Sequence, residues 1–183
     1  MNVALNMVLL VQGLLAATSE DYKENCMAAL LGYSSMIVGS VGIYFGFFYL
    51  DHNPGLSIKI VTFSTVGVVG VLAFVRHFIF HKSDAIRLGW ETARPEFGYE
   101  VGFANLAFGI IAIISSTQNY SLQTQSIIVL GYAIYLFQAG LLHGYLYYSD
   151  GKKSAARLWR SCLATLLYAG MMSFLAFRVL LIH

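Results

Sequence analysis

The chain has 183 residues, 58% hydrophobic and 11% charged, with a net charge of +2 and a mean hydropathy of +0.68. Soluble domains carry about 25% charged residues, so a water-soluble globule is excluded, and no basic stripe with interleaved aromatics supports nucleic-acid binding. The apolar runs suit helices that cross a bilayer in roughly 20 residues, and none alternates as the ~10-residue strands of a barrel do.

The composition therefore predicts a single all-α domain over 1–183, a polytopic transmembrane helix bundle in the lipid bilayer. Six spans are expected, over about 2–18, 26–50, 58–80, 97–116, 122–148 and 161–182. The first run lacks a basic leader and a good cleavage site, so it reads as a retained helix that enters with its N-terminus outside. The charged stretch "SEDYKEN" separates it from the second run.

In the second span, Gly32, Ser35, Gly39, Gly42 and Gly46 recur at spacings of three and four. That places them on one helix face, where small residues let helix backbones approach closely in a membrane. "DHNPGLS" then makes a short turn into the third span, which carries Arg76, His77 and His81 near its far end. The connection "HKSDAIRLGWETARPE" predicts an interfacial helix over 83–92, with Ser83 as N-cap and Asp84 in the first turn. Ile86, Leu88 and Trp90 would dip into the interface while Lys82, Arg87 and Glu91 stay wet.

The fourth span opens after Pro95 and carries a second small-residue stripe through Gly98, Gly102, Asn105, Gly109, Ala112 and Ser116. Asn105 lies within that stripe, which aims its carboxamide at a neighbouring helix or, alternatively, at a solute or ion at mid-membrane. Glu100 leaves the stripe by about 200°. The fifth span holds Gln138, the pair Gly140 and Gly144, and His143. The basic stretch "SDGKKSAARLWR" precedes the last span, which carries Arg178 near its outer end.

Lysine and arginine divide unevenly between the two sides. One side takes Lys23, Arg76, Lys82, Arg87, Arg94, Lys152, Lys153, Arg157 and Arg160; the other takes Lys59 and Arg178. By the positive-inside rule the first side is cytoplasmic, which puts both termini of a six-span chain outside. Trp90 and Trp159 fall at that cytoplasmic interface, and Cys26 and Cys162 begin apolar runs there as a reduced pair of small core residues.

Arg76, Glu100 and His143 lie at similar depth near the cytoplasmic edge. Charge inside a bilayer is costly and pairing is its usual remedy, so Glu100 is expected to pair with Arg76 or His143. The layer reads either as a structural ion pair with snorkelling side chains or as a site for a proton, ion or headgroup. His77, His81 and His143 are weak candidates for a metal, and a haem would need two histidines facing each other. No cofactor is predicted, and no nucleophile elbow, phosphate-binding loop, Cys-x-x-Cys or carboxylate dyad supports catalysis.

The string "YEVGFANLAFG", followed by "GYAIYLFQAGLLHGY", resembles a family of uncharacterised small bacterial inner-membrane proteins. The pattern F-x-x-E-V-G-x-A-N-L-x-x-G falls on Phe97, Glu100, Val101, Gly102, Ala104, Asn105, Leu106 and Gly109; a later pattern falls on Gly131, Ala139, Gly140 and His143. The resemblance covers roughly residues 86–148 and implies a bacterial cytoplasmic-membrane address but no activity. The leading functional reading is an accessory or structural membrane subunit that packs against other membrane subunits or copies of itself. The alternatives are a channel or transporter for a small solute, ion or proton that uses the Arg76, Glu100 and His143 layer, and a quinone- or lipid-linked enzyme. Arg76, His77, Glu100, Asn105, Gln138 and His143 form the candidate polar site.

Overall fold

The structure is a computed structural model that describes the backbone of residues 2–88, 95–149 and 158–182, with side chains from Cys26 onward except at 87, 88 and 160. The described residues form six helices. They are α1 (Asn2–Leu50), α2 (Pro54–Ile79), α3 (His81–Leu88), α4 (Glu96–Thr117), α5 (Leu122–Ser149) and α6 (158–182). Five stretches are long and apolar enough to cross a membrane: Cys26–Leu50, Pro54–Ile79, Glu96–Thr117, Leu122–Ser149 and Ser161–Ile182. Their bounds fall within a few residues of the runs read from sequence.

The first segment differs from expectation. No turn forms at "SEDYKEN"; α1 runs unbroken through it. The stretch holds neither proline nor glycine, and its glutamates and lysine are good helix formers, so nothing local stops the helix.

The α1–α2 turn is closed by its own side chain. Asn53 caps α2, its Oδ1 accepting the Leu56 N–H at 3.0 Å, and Pro54 occupies the first helical turn. The turn between α4 and α5 is a Schellman-type stop. Asn119 adopts a left-handed φ of 55°, and the Tyr120 N–H reaches the Ser115 carbonyl at 3.0 Å. Lys59 Nζ donates to Asn119 Oδ1 at 2.7 Å and ties the two turns together. At the same end the Arg178 guanidinium lies 3.7 Å from Asp51.

α2 is the central helix. Half of its most apolar window is buried, against 22–28% for the other four spans. It is also not a regular α-helix. Thr62–Val68 and Val75–Ile79 are wound as π-helix, with the Val69 N–H on the Ser64 carbonyl and the Phe80 N–H on that of Val75. Hydroxyls take up the carbonyls at the first of these turns: Thr62 donates to Ile58 (2.7 Å), Ser64 to Ile60 (2.6 Å) and Thr65 to Val61 (2.5 Å). Such back-bonding is how a membrane helix keeps its backbone groups satisfied where its pitch changes.

Around α2 the helices approach closely at glycines. A Cβ on Gly70 would stand 2.7 Å from the Asn105 carbonyl and 3.1 Å from the Gly109 Cα, so α2 and α4 touch backbone to backbone. The glycines of α1 instead make room for side chains of two neighbours. A Cβ at Gly42 would collide with the Ser64 side chain, at Gly46 it would meet Val61 and at Gly39 the Tyr168 hydroxyl of α6. Gly140 and Gly144 of α5 face Leu166 and Cys162 of α6. The core is completed by Ile43, Ile58, Val66, Val129, Met172 and Leu175, all buried.

Two further details depart from the sequence reading. The short helix begins at His81 rather than Ser83, and Ser83, Asp84 and Ala85 turn inward while Ile86 is exposed. Trp90, Glu91 and Arg94 lie outside the described residues. Cys162 is buried but Cys26 is exposed, so the cysteines are not a core pair.

Candidate functional site

At the end of α2 the second π-turn carries two ionisable residues in succession, Arg76 and His77. A bend follows at Phe80 (φ −101°, ψ 31°), and α3 folds back over the end of α2. The Asp84 N–H donates to the Phe80 carbonyl at 2.9 Å, and Ser83 Oγ bonds the same carbonyl at 3.1 Å. This reversal brings the Asp84 carboxylate over both side chains. Oδ1 lies 3.3 Å from Arg76 Nε, and Oδ2 lies 2.7 Å from His77 Nδ1.

Arg76 Nη2 in turn reaches His77 Nε2 at 3.0 Å. A guanidinium can only donate, so Nε2 accepts and the ring proton sits on Nδ1, toward Asp84. The histidine is then neutral, and among the described residues Arg76 is the cation of the cluster and Asp84 its anion. The side chain of Asp84 is 1% exposed, that of His77 7% and that of Arg76 18%. Burial of that degree weakens competition from water and strengthens the attraction between the charges.

This cluster gathers two of the candidate residues and adds Asp84, which the sequence placed on a wet surface helix. Glu100 does not join it. It is exposed on α4, and among the described residues it forms no ion pair. His143 is half-buried on α5. His81 turns away from the cluster, its Nδ1–H donating to the Phe78 carbonyl at 3.2 Å and its ring standing edge-on to Tyr99 at 5.1 Å. Among the described residues, no three His, Cys, Asp or Glu side chains converge as a metal would require.

A second polar group lies deeper in the bundle. Asn105 is buried on the face of α4 that meets α5. Its Nδ2 donates to the Val101 carbonyl (2.7 Å) and to the Tyr135 hydroxyl (3.0 Å), and its Oδ1 accepts from the Tyr132 hydroxyl (2.7 Å). Both amide protons and the carbonyl oxygen of the carboxamide are thus engaged inside the chain. Phe108 packs on both tyrosines, tilted against Tyr132 with ring centres 5.4 Å apart and stacked on Tyr135 at 6.0 Å, and closes the site with apolar surface. Interhelical bonds of this type contribute about 0.6–2 kcal/mol each. The tyrosines escaped the sequence reading, although depth counted from the helix ends would have matched them. Asn105 lies twelve residues before Thr117, and Tyr132 and Tyr135 lie ten and thirteen after Leu122.

Gln138, the last candidate, is exposed on the outward face of α5. The six candidates therefore separate. Arg76 and His77 share one buried cluster, Asn105 sits in another, His143 is half-buried, and Glu100 and Gln138 face out of the bundle.

Comparison with protein families matches residues 36–179 to a family of unknown function (DUF6790). No curated protein and no solved structure matches the chain.

Proposed function

The chain belongs to DUF6790, a family of unknown function, and among its described residues has five helices long and apolar enough to cross a membrane; from that premise we propose that it is an accessory or structural subunit of a bacterial cytoplasmic membrane. One observation carries the reading: Glu100 and Gln138, two of the six candidate polar residues, lie on the outside of the bundle, where another polypeptide can meet them. The buried polar groups support it, since Asn105 is engaged by Tyr132 and Tyr135 and holds α4 to α5. The motif around Glu100 and Asn105 then marks one packing face and one contact face of the same helix.

A second reading is favoured by the Arg76, His77 and Asp84 cluster. Short π-turns occur often at functional sites, and a neutral histidine between a guanidinium and a carboxylate can take up and release a proton. In that reading the chain handles a proton or ion at its cytoplasmic end. One experiment separates the two. The purified chain, reconstituted alone in vesicles, is expected to pass protons and small solutes no faster than empty vesicles do. A flux lost on Asp84→Asn would replace the accessory role with transport.

We further propose six spans with both termini outside. The nine-to-two division of lysine and arginine supports the orientation of the last five spans but is blind to the first, because residues 2–18 carry neither. As one straight helix, α1 would carry the apolar run 2–18 about 36 Å beyond Cys26 at 1.5 Å per residue. An exposed run of that kind is unfavourable in water, and a break within "SEDYKEN" returns it to the bilayer. Single cysteines at positions 2 and 118, with Cys26 and Cys162 changed to serine, are both expected to react with an impermeant maleimide from outside. Labelling at 118 alone would mean five spans and a cytoplasmic N-terminus.

A further inference from the structure

Each outer helix of the bundle turns a stripe of large apolar side chains outward, as lipid contact requires. On α1 the stripe includes Leu30, Ile37 and Tyr44, on α4 Phe103 and Ile110, and on α6 Leu167 and Phe174. The stripe on α5 runs through Ile134, Gln138, Leu141 and Tyr145, at spacings of four, three and four. It differs from the others in one residue. Among the described residues, Gln138 is the one carboxamide or charged side chain exposed in the middle third of any span.

Its depth makes it unusual. α5 spans Leu122–Ser149, so Gln138 lies about 24 Å from the outer end and about 16 Å from the inner one at 1.5 Å per residue. A glutamine side chain cannot reach either interface from there. Among the described residues no hydrogen bond engages it. Left in hydrocarbon, its two donors and its carbonyl would go unsatisfied, which is unfavourable in a medium that offers no partners.

We propose that this face of α5 is the interface between two copies of the chain, with the Gln138 carboxamides bonded to each other across a two-fold axis. The proposal rests on the accessory reading above and names its partner surface. A carboxamide is self-complementary, because it donates and accepts at the same time, and a two-fold interface brings the same patch of both copies together. The flanking positions of the stripe are uncharged, so nothing on it calls for a partner of opposite charge. The spacings of three and four are those of a left-handed helix pair, in which one polar seam residue fixes register and partner number. Ile134 and Leu141 flank the glutamine by one turn on either side and would meet their counterparts in the second copy.

The test uses the full chain with Cys26 and Cys162 changed to serine. Ile134→Cys is oxidised in native membranes beside Ala107→Cys, an exposed position at similar depth on α4. A disulfide-linked homodimer is expected from Ile134→Cys and not from Ala107→Cys. In detergent, Gln138→Leu should weaken dimerisation about 3- to 30-fold, the range of a single interhelical hydrogen bond, while Gln138→Asn retains part of it. The thermal melt of the monomer should be unchanged by either, since the side chain points away from the core. Equal crosslinking at both positions, a monomer at every concentration, or a crosslink from Ile134→Cys only to a different protein would each overturn the proposal. The last outcome would leave the accessory role standing. A solute flux with the dimer intact would instead remove the accessory role and leave the interface.

Discussion

Asp84→Ala is expected to destabilise the folded bundle by about 3–5 kcal/mol, the usual cost of removing one partner from a buried ion pair. The carboxylate is the counter-charge of Arg76 and faces the proton of His77. Without it the Arg76 guanidinium, at 18% exposure beside a buried ring, loses the carboxylate that offsets part of its desolvation. Asp84→Asn should cost less, because it keeps a carbonyl in place while losing the charge. Changing Arg76→Met together with Asp84→Leu should recover much of the loss, since an apolar pair of similar volume avoids the desolvation of both ions. Glu100→Gln is the control. It is exposed on α4 and should move stability by no more than about 0.5 kcal/mol. Unfolding in a denaturing detergent, followed by helix signal, measures all four. A large effect at Glu100 with none at Asp84 would reverse the placement of the charged cluster.

The second large effect is expected at the α2–α4 crossing. Gly70→Leu should cost about 3 kcal/mol or prevent folding, at the upper end of what overpacking does. The reason is the identity of the neighbours. A Cβ there meets the Asn105 carbonyl at 2.7 Å and the Gly109 backbone at 3.1 Å, and neither can rotate aside as a side chain would. The helices would have to separate, which pulls Asn105 away from the α5 tyrosines. Gly170→Leu is the matching control, since a Cβ at Gly170 meets nothing within 4 Å. Measured in the same assay, Gly170→Leu should leave stability within about 0.5 kcal/mol of the parent.

The span positions were legible because apolar runs and the turn "DHNPGLS" are local signals. Asn105 was legible too, because its place among glycines at helical spacing gave its direction. Asp84 was not. Over residues 83–92 the short-range pattern is that of a surface helix with an acid in its first turn, and only the bend at Phe80 turns that acid over Arg76 and His77. For Glu100 the depth and the direction gave different answers. Its level in the membrane matched Arg76, but its angle of about 200° from the glycine face already pointed it out of the bundle. The division at "SEDYKEN" rested on charge alone, which marks where a chain leaves the bilayer but carries no glycine or proline signal for where a helix breaks. The π-turns of α2 left no mark that a period of 3.6 could detect, although the cluster Thr62, Ser64 and Thr65 supplies the hydroxyls that accompany the first.

Those π-turns alter what the chain can tolerate along α2. A residue deleted from an α-helical span rotates everything beyond it by about 100° and turns its buried face to lipid. A π-turn already contains a surplus residue wound into the helix. Removing one residue within Thr62–Val68 can relax that turn to ordinary α-helix and leave the preceding and following faces in register. The segment is thus a place where length can change without loss of the fold, and the remaining π-turn at Val75–Ile79 would still present Arg76 and His77 side by side.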